Sequence, residues 1–372
     1  MLYFDNCSTT FPDDIVIKNF ATSAKNYPGN PNANNRLGIL CKARIDDATK
    51  HIANILKVSE ESIIYTSSAS EANNLAIKGL CLANNGRHII TTNLEHPSVL
   101  DSIKFLKLSG YDVSIAKLNE DGTVDIDYLK SLIRDDTVLI SITYADSELG
   151  IRQNIEQIGM MLKNYPNCYF HVDASQVVGK ERFDFSCVDL ATFTAHKFNG
   201  IKGIGCLIKK SKVKLTPLIT GGTSFNKYRS GIPPVELIVS LESALELAYS
   251  DFDHKKEYVN RISNELKAFL TSFNDIKINS TSKSISNIIN ISIKNADKMV
   301  ELLNECGVYV SKKSAASTED ISKSVMELYE DEQRAKNTIR ISILDTTTSK
   351  DIKNFKRAFE ACYEKLKESD NS

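Results

Sequence analysis

The 372-residue sequence lacks the features of several common protein classes. Its 46 basic and 47 acidic residues leave a net charge of −1 without a basic stripe, which argues against a nucleic-acid partner. No segment approaches the roughly 18 uninterrupted apolar residues of a membrane span. The N-terminal residues 1–5 lack the charged and apolar regions of a signal peptide. We therefore expect no nucleic-acid partner, no membrane association and a cytoplasmic location.

Cysteine spacing and catalytic fingerprints are also missing. The eight cysteines occur singly, without a C-x-x-C pair or a Cys/His cluster, which argues against a zinc site or a disulfide framework. The patterns H-E-x-x-H, G-x-G-x-x-G, G-x-S-x-G and the P-loop are absent. Zincin, dinucleotide-binding Rossmann, α/β-hydrolase and NTPase interpretations therefore lack their fingerprints. Small polar or zwitterionic substrates suit this neutral composition better.

From residue 36 to about 210, amphipathic helical patterns alternate with short apolar runs. This alternation predicts an α/β domain with a mainly parallel sheet. The predicted strands cover 62–66, 88–91, 113–115, 138–142, 169–172, 190–194 and 205–208.

With 372 residues, the chain is longer than a single hydrophobic core usually supports, which favours a second, smaller domain. A charged stretch at 251–256 is typical of a hinge, and residues 259–273, 288–293, 298–306 and 338–342 predict helix, strand, helix and strand. We expect a large α/β domain at 13–250 and a small α+β domain formed by 1–12 and 251–372. The polar stretch 312–337 predicts a mobile loop with a helical piece.

Two predicted strands end in residues that carry chemistry. The segment His171-Val172-Asp173-Ala174-Ser175-Gln176 closes one strand, and Thr194-Ala195-His196-Lys197 closes another. Carboxyl ends of parallel strands meet at one edge of a sheet, where such folds bind ligands. Pyridoxal phosphate (PLP) needs a lysine to carry it as a Schiff base and an acidic partner for its pyridine nitrogen. Lys197 and Asp173 are candidates for these two roles.

A hydroxyl-rich segment follows an earlier strand and opens a helix. Ser68, Ala69 and Ser70 lie in this segment, where hydroxyls and unpaired backbone N–H groups suit a phosphate. The alternative is a plain serine cap of the helix.

Two further residues have two interpretations each. His96 follows the strand at 88–91, where it either stacks on an aromatic cofactor or has a structural role. Arg340 lies in an otherwise apolar strand, where it is either paired with a structural carboxylate or receives one from a ligand.

Taken together, these segments resemble the cysteine desulfurases of the class V aminotransferase group, which are fold-type I PLP enzymes. The resemblance covers nearly the whole chain. It is carried, in chain order, by Tyr3-Phe4-Asp5-Asn6 with Thr9-Thr10, Gly29-Asn30-Pro31, residues 66–74, Glu95-His96, Glu148-Leu149-Gly150, residues 171–176, His196-Lys197 with Lys202-Gly203-Ile204-Gly205, Arg229-Ser230-Gly231, and Arg340.

The resemblance implies roles for the cofactor residues. It implies Lys197 as the Schiff-base lysine and Asp173 on the pyridine nitrogen. It places His96 on the cofactor ring and Gln176 near the phenolic oxygen.

It also implies the remaining contacts and the assembly. Ser70, Thr194 and His196 are implied at the phosphate, and Arg340 at the substrate carboxylate. A homodimer with sites at the subunit interface is implied as well, and a sulfur-acceptor protein would be its partner.

The sequence departs from the family at the catalytic loop. Desulfurases carry a nucleophilic cysteine where this chain has Ala316, and a methyl group can neither attack sulfur nor hold a persulfide. Ser147 replaces an asparagine that usually contacts cofactor and substrate, and Ile232 replaces a threonine that reaches the neighbouring subunit's phosphate. Either a Cys→Ala change was introduced to trap substrate, or the chain is a natural paralogue that lost sulfur transfer.

The sequence thus predicts a PLP enzyme of desulfurase lineage that acts on L-cysteine or a close analogue, with its sulfur-transfer step impaired by Ala316. One alternative is a β-lyase or selenocysteine-lyase-like enzyme that does not need the loop thiol. Another is a non-catalytic PLP-binding partner of sulfur-transfer proteins.

Overall fold

The structure, a computed structural model, describes residues 1–222, 226–312 and 321–370. Ala316 lies outside the described residues. The described strands are β1 (Leu2–Tyr3), β2 (Ile63–Thr66), β3 (His88–Thr91), β4 (Asp112–Ile115), β5 (Thr137–Thr143), β6 (Tyr169–Asp173), β7 (Leu190–Thr194), β8 (Gly205–Lys209), β9 (Lys277–Ile278), β10 (Ile288–Ser292), β11 (Val308–Tyr309) and β12 (Thr338–Ser342).

Helices separate most of these strands. They are α1 (Asp14–Asn26), α2 (Arg36–Leu56), α3 (Ala69–Asn74), α4 (Leu80–Ala83), α5 (Pro97–Leu108), α6 (Ile126–Ser131), α7 (Ile155–Leu162), α8 (Val235–Tyr249), α9 (Phe252–Thr271), α10 (Ala296–Glu305), α11 (Lys323–Tyr329), α12 (Glu332–Lys336) and α13 (Ser349–Asp370). A π-helical segment, Leu75–Gly79, joins α3 to α4. Among the described helices, none combines the length and apolarity that crossing a membrane requires.

Seven strands form one large sheet in the order β2-β8-β7-β6-β5-β3-β4. Neighbours from β7 to β4 pair in parallel, whereas β8 is antiparallel to both β7 and β2. Every residue of β5, β7 and β8 is buried, as expected for a sheet covered on both faces. The predicted α/β class with a mainly parallel sheet is confirmed.

Two apolar clusters cover the faces of this sheet. One includes side chains of α2, α7 and α8, and the other includes side chains of α3, α4 and α5. The spacing of Ile45, Ala48 and Ile52 on α2 explains its orientation, since these residues share one helical face and are fully buried.

A separate apolar cluster surrounds the antiparallel sheet β12-β10-β9. Helices α9, α10 and α13 contribute to it, and Phe4 joins it from the N-terminal segment. β1 pairs in parallel with β11, which places the N-terminus beside the C-terminal part of the chain. The division into domains at residues 12/13 and 250/251 stays a prediction.

The predicted hinge at 251–256 is wrong, because α9 already begins at Phe252. Only Ser250 and Asp251 separate α8 from α9, and Asp251 has a left-handed φ of 50°. Phe252 is buried and its ring stacks on Tyr249 at 5.5 Å between centroids. Asp253, His254 and Glu257 are exposed on this helix, whereas Lys255 and Lys256 are partly buried and form ion pairs with Asp345 and Glu181.

The helical piece predicted within 312–337 is present, but it is longer than the polar pattern indicated, since α11 and α12 occupy most of 321–337. Ser322 caps α11, and its hydroxyl donates to Glu148 Oε2 at 2.5 Å. Val325 and Ala335 pack against Leu149 and Ile151. These contacts with distant parts of the chain explain why local polarity misled the prediction.

Gly205 determines how closely the strand β8 approaches the start of α3. It pairs with Thr66 at the end of β2 and with Thr194 at the end of β7. A Cβ atom at this position would lie 2.4 Å from the carbonyl carbon of Ser68. The lack of a side chain thus lets the serine segment lie against the strand ends.

We expect Gly205→Ala to displace the backbone of Ser68 and weaken PLP binding, because the added methyl group has no space. Overpacking of this kind costs about 1–3 kcal/mol of folding free energy. Thermal unfolding and equilibrium dialysis with PLP measure the two effects. A variant with wild-type cofactor affinity would contradict this account of the close approach.

Candidate active site

Parallel pairing brings the two chemical segments together at one edge of the sheet. Asp173 is the last residue of β6 and lies opposite Thr192 of β7. Lys197 lies in the 3₁₀ turn Ala195–Lys197 that directly follows β7. The predicted meeting of strand ends is therefore present in the structure.

A cavity of about 280 Å³ opens at this edge. Every predicted site residue that the structure describes lines it, namely Ser68, Ala69, Ser70, His96, Ser147, Asp173, Gln176, Thr194, His196, Lys197 and Arg340. In residues 1–222, 226–312 and 321–370, no group of three His, Cys, Asp or Glu side chains is placed to hold a metal ion.

Lys197 is held by the N-terminal segment. Its Nζ atom donates to the carbonyl oxygens of Cys7 and Ser8, the latter at 2.9 Å. Burial lowers the pKa of Lys197 to about 8, and the cations Lys180 and Arg340 act in the same direction. The cost of burying its charge thus makes the neutral amine, which is the nucleophilic form, accessible near neutral pH.

Asp173 is buried, and both of its carboxylate oxygens accept hydrogen bonds. Oδ1 accepts from the backbone N–H of Ser175 at 2.9 Å, and Oδ2 accepts from Asn73 Nδ2 at 2.9 Å. A buried carboxylate needs such donors to offset its lost hydration.

The serine segment lies at another wall of the cavity. Ser68 Oγ accepts from the N–H of Glu71 at 3.3 Å, so this serine does cap α3. Thr194 donates its hydroxyl hydrogen to the carbonyl of Ile204 at 2.9 Å, which leaves its oxygen as an acceptor. Ser68 therefore caps α3 and also lines the cavity.

The imidazoles that line the cavity are neutral at pH 7. Burial lowers the pKa of His196 to about 4, assisted by nearby Lys197, and burial also lowers the pKa of His96. His96 Nδ1 accepts from the backbone N–H of Ser98 at 3.1 Å and so caps α5. His96 thus has a structural role and a face on the cavity at the same time.

Gln176 is oriented by a buried lysine. Its Nε2 donates to the carbonyl of Cys7 at 3.2 Å, and its Oε1 accepts from Lys180 Nζ at 3.2 Å. Burial lowers the pKa of Lys180. Among the described residues, no carboxylate forms an ion pair with Lys180.

Arg340 meets a carboxylate of the chain itself. One Nη donates to Asp5 Oδ1 at 2.8 Å and to Ser8 Oγ at 2.7 Å, and the other donates to the carbonyl of Ser147 at 2.7 Å. Its Nε atom is buried and has no hydrogen-bond partner among the described residues. Arg340 is thus paired with a structural carboxylate, Asp5, and its Nε–H still has no acceptor among the described residues.

The residues of the cavity fit PLP. They include a buried amine of lowered pKa, a buried carboxylate and several hydroxyl groups. Ser175 Oγ is buried in the same lining without a hydrogen-bond partner in the described chain. A polar ligand would satisfy such an atom.

A family model described as Aminotransferase class-V matches residues 2–355. The chain belongs to the class-V aminotransferase family. It is similar to the cysteine desulfurase IscS of Dictyoglomus turgidum, with 32% identity over 376 residues, 98% of this chain and 95% of that protein. Among solved structures, a NifS-like protein has a TM-score of 0.92 and 30% identity, with 98% of this chain and 99% of that chain covered.

A second similar structure is titled "SspA in complex with cysteine" and has a TM-score of 0.82 and 29% identity, with 94% of this chain and 100% of that chain covered. These similarities confirm the fold-type I architecture and the cysteine desulfurase lineage of this class-V aminotransferase. They also confirm that it is a PLP-dependent enzyme.

The sequence interpretation missed several residues around the site. Cys7 and Ser8 act through backbone carbonyl oxygens, for which the sequence carries no signal. Lys180 could have been found, because it lies four residues after Gln176, within reach on one helical turn. Asn73 donates to Asp173 from behind the cavity. It lies within the segment 66–74, in which nothing in the sequence distinguished it from its neighbours.

We expect the Lys197 ammonium of the cofactor-free class-V enzyme to lose its proton near pH 8, rather than near the usual 10.5. The groups acting on it are Cys7, Lys180, Arg340 and Asp173. Lys180→Met removes a cation, so it should move the midpoint to higher pH. Labelling with acetic anhydride across pH, followed by peptide mass spectrometry, measures the amine.

The control is Lys256→Met, because Lys256 forms an ion pair with Glu181 and is not among the groups that act on Lys197. It should leave the midpoint in place. A midpoint near 10.5 in the wild type, or equal shifts in the two variants, would show that burial and Lys180 do not act on Lys197 as described.

Proposed function

We propose that this PLP-dependent enzyme acts on L-cysteine or a close analogue. The observation that carries the proposal is the single cavity that Lys197, Asp173 and Arg340 share. The cysteine desulfurase among the similar proteins and the solved relative titled as a complex with cysteine support the same substrate.

When bound, PLP supplies an electron sink for the charge left by a departing substrate proton. The proposed role of Lys197 is to hold the cofactor and then to accept and return that proton at Nζ. Its lowered pKa supports this role, since a base near its working pH transfers protons well. Asp173 would offer its carboxylate to the pyridine nitrogen.

Arg340 would orient the substrate carboxylate. Its Nε has no hydrogen-bond partner among the residues that the structure describes, which supports this role, because guanidinium N–H groups bind carboxylates in a fixed geometry. Asp5 already neutralises part of its charge, so the substrate would share Arg340 with Asp5. Ser147 lies at the same wall and would contact cofactor and substrate.

The proposed fate of the substrate depends on position 316. A working desulfurase needs a thiol there to take the sulfur, and Ala316 offers none. We therefore propose that sulfur transfer is impaired in this chain. A β-lyase or selenocysteine-lyase-like activity is the alternative that needs no loop thiol, and a PLP-binding partner of sulfur-acceptor proteins is the alternative without turnover.

The test compares the wild type with Ala316→Cys in the presence of L-cysteine. We expect the wild type to change its visible absorbance without forming alanine. Ala316→Cys should form alanine and carry a persulfide on the introduced thiol. Amino-acid analysis and mass spectrometry of the protein measure the two products. Lys197→Ala should lower turnover by about 10²–10⁴-fold in the Ala316→Cys background, because it removes the base.

Other outcomes decide between the alternatives. Sulfide and pyruvate released by the wild type would establish the lyase. An absence of any absorbance change with amino acids would contradict catalysis and leave the binding partner role. A visible absorbance that survives in Lys197→Ala would contradict Lys197 as the cofactor lysine.

We also propose a homodimer. Apolar side chains of α1 and α2 are exposed on the single chain, namely Ile15, Ile17, Leu37, Ile39 and Leu40. Helices α1 and α2 both pack against α8, and exposed apolar groups of this kind mark an interface. The cytoplasmic location stays a prediction.

We expect Ile39→Glu to weaken this dimer, because it would bury a charge at the interface. Analytical ultracentrifugation at several concentrations measures the change. The control is Met160→Glu, since Met160 of α7 is 59% exposed and Ile39 is 61% exposed. A monomeric wild type, or equal weakening by both changes, would contradict this surface.

A further inference from the structure

The side chain of Asn73 is fully buried on α3, directly behind the cavity. Its Nδ2 donates to Asp173 Oδ2 and to Ser98 Oγ, both at 2.9 Å. Its Oδ1 accepts from the hydroxyl of Thr192. Both N–H groups and the oxygen of one amide are thus engaged by three other elements of the fold.

The orientation of this amide follows from the chemistry of its neighbours. An ionised carboxylate only accepts hydrogen bonds, so the nitrogen of Asn73 must face Asp173. The opposite orientation would bring the amide oxygen against a carboxylate oxygen. The hydroxyl hydrogen of Thr192 must therefore point to Asn73 Oδ1.

The same logic extends to His171 and Ser141. Because Thr192 uses its hydrogen on Asn73, its oxygen accepts from His171 Nε2 at 3.3 Å. Burial lowers the pKa of His171 to about 4, so its ring is neutral and carries one hydrogen. That hydrogen lies on Nε2, and His171 Nδ1 accepts from the Ser141 hydroxyl at 2.8 Å.

Four hydrogen bonds thus run in one direction across β5, β6, β7 and α3. Ser141 donates to His171, His171 to Thr192, Thr192 to Asn73, and Asn73 to Asp173. We call these five residues the relay. Aligned donors polarise one another and favour negative charge at their accepting end.

We propose that Asn73, Thr192 and His171 are positioning residues that act through Asp173, because the relay holds its carboxylate in place. This inference rests on the proposed function, in which Asp173 faces the cofactor. None of the three residues lines the cavity. Their effect on the reaction would therefore pass through Asp173 alone.

Four titratable side chains among the described residues act on Asp173 electrostatically, namely His96, His171, Glu95 and Lys197. His96 and His171 are neutral because burial lowers the pKa of each. Burial raises the pKa of Glu95 to about 8, so it is protonated at neutral pH. Of these four groups, Lys197 is the one that is a cation at neutral pH, and it loses its charge near pH 8.

The test follows the tautomer of His171 by ¹⁵N NMR of histidine-labelled protein, with and without PLP. We expect one Nε2–H tautomer in the wild type. Thr192→Val is nearly isosteric and removes the acceptor of that N–H. A form with hydrogen on Nδ1, donating to Ser141, should then become populated.

The matched control is Thr91→Val. Thr91 is also a buried strand threonine, and its hydroxyl donates one bond to the backbone carbonyl of Ser141 at 2.9 Å, outside the relay. This variant should keep the wild-type tautomer. An Nδ1–H tautomer in the wild type, or the same spectrum in both variants, would overturn the proposal.

A second readout is the dissociation constant of PLP, measured by equilibrium dialysis. Asn73→Ala removes a hydrogen bond to a charged group and should weaken binding by about tenfold or more. Thr192→Val should weaken it less, and Thr91→Val should leave it unchanged. If Thr192→Val binds PLP as tightly as the wild type, the proposed coupling of Thr192 to Asp173 is wrong. This result would decide the question even if Asn73→Ala fails to fold.

The two readouts separate failure of the relay from failure of the proposed function. A wild type that binds no PLP contradicts the proposed function. The tautomer of His171 is measured on cofactor-free protein as well, so it still decides whether the relay exists.

Discussion

The burial of the Asp173 carboxylate is the constraint on which the site depends. A charge at the end of a buried strand needs donors around it, because unpaired burial costs several kcal/mol (roughly 2–7 for a polar group, and more for a charge). The chain meets this need from several elements. Ser175 supplies a backbone N–H, and Asn73 supplies an amide from α3. The arrangement of α3, β6 and β7 is therefore tied to one carboxylate.

The opposite requirement applies to Lys197. Its charge is disfavoured by burial and by two neighbouring cations. Within the described part of the chain, only backbone carbonyls of the N-terminal segment accept its N–H groups. The site thus combines a hydrogen-bonded carboxylate with an ammonium that burial disfavours. A buried amine of lowered pKa in a cavity is typical of catalytic sites.

The N-terminal segment links this chemistry to the rest of the fold. β1 pairs with β11, and the chain then passes Asp5, which contacts Arg340, and reaches Cys7 and Ser8, which contact Lys197. The short strand β1, which belongs to the second core, therefore fixes Asp5, Cys7 and Ser8 beside the cavity at the edge of the large sheet. Arg340 itself lies on β12 of that second core, so the cavity draws on both cores.

The sequence by itself predicted the α/β class and the strands that end at or just before Asp173 and Lys197. All the candidate site residues that the structure describes line the cavity. It could do so because strand periodicity and motif order are local properties of the chain. It missed the start of α9 within 251–256, where Phe252 stacks on Tyr249. It also missed the extent of helix at 321–337, where Val325 and Ala335 pack against residues that are distant in sequence. Only the tertiary structure decided those helices, the pairing of Arg340 with Asp5, the lowered pKa of Lys197 and the direction of hydrogen bonds toward Asp173. Each of these depends on burial and on neighbours from several elements, which no local pattern specifies.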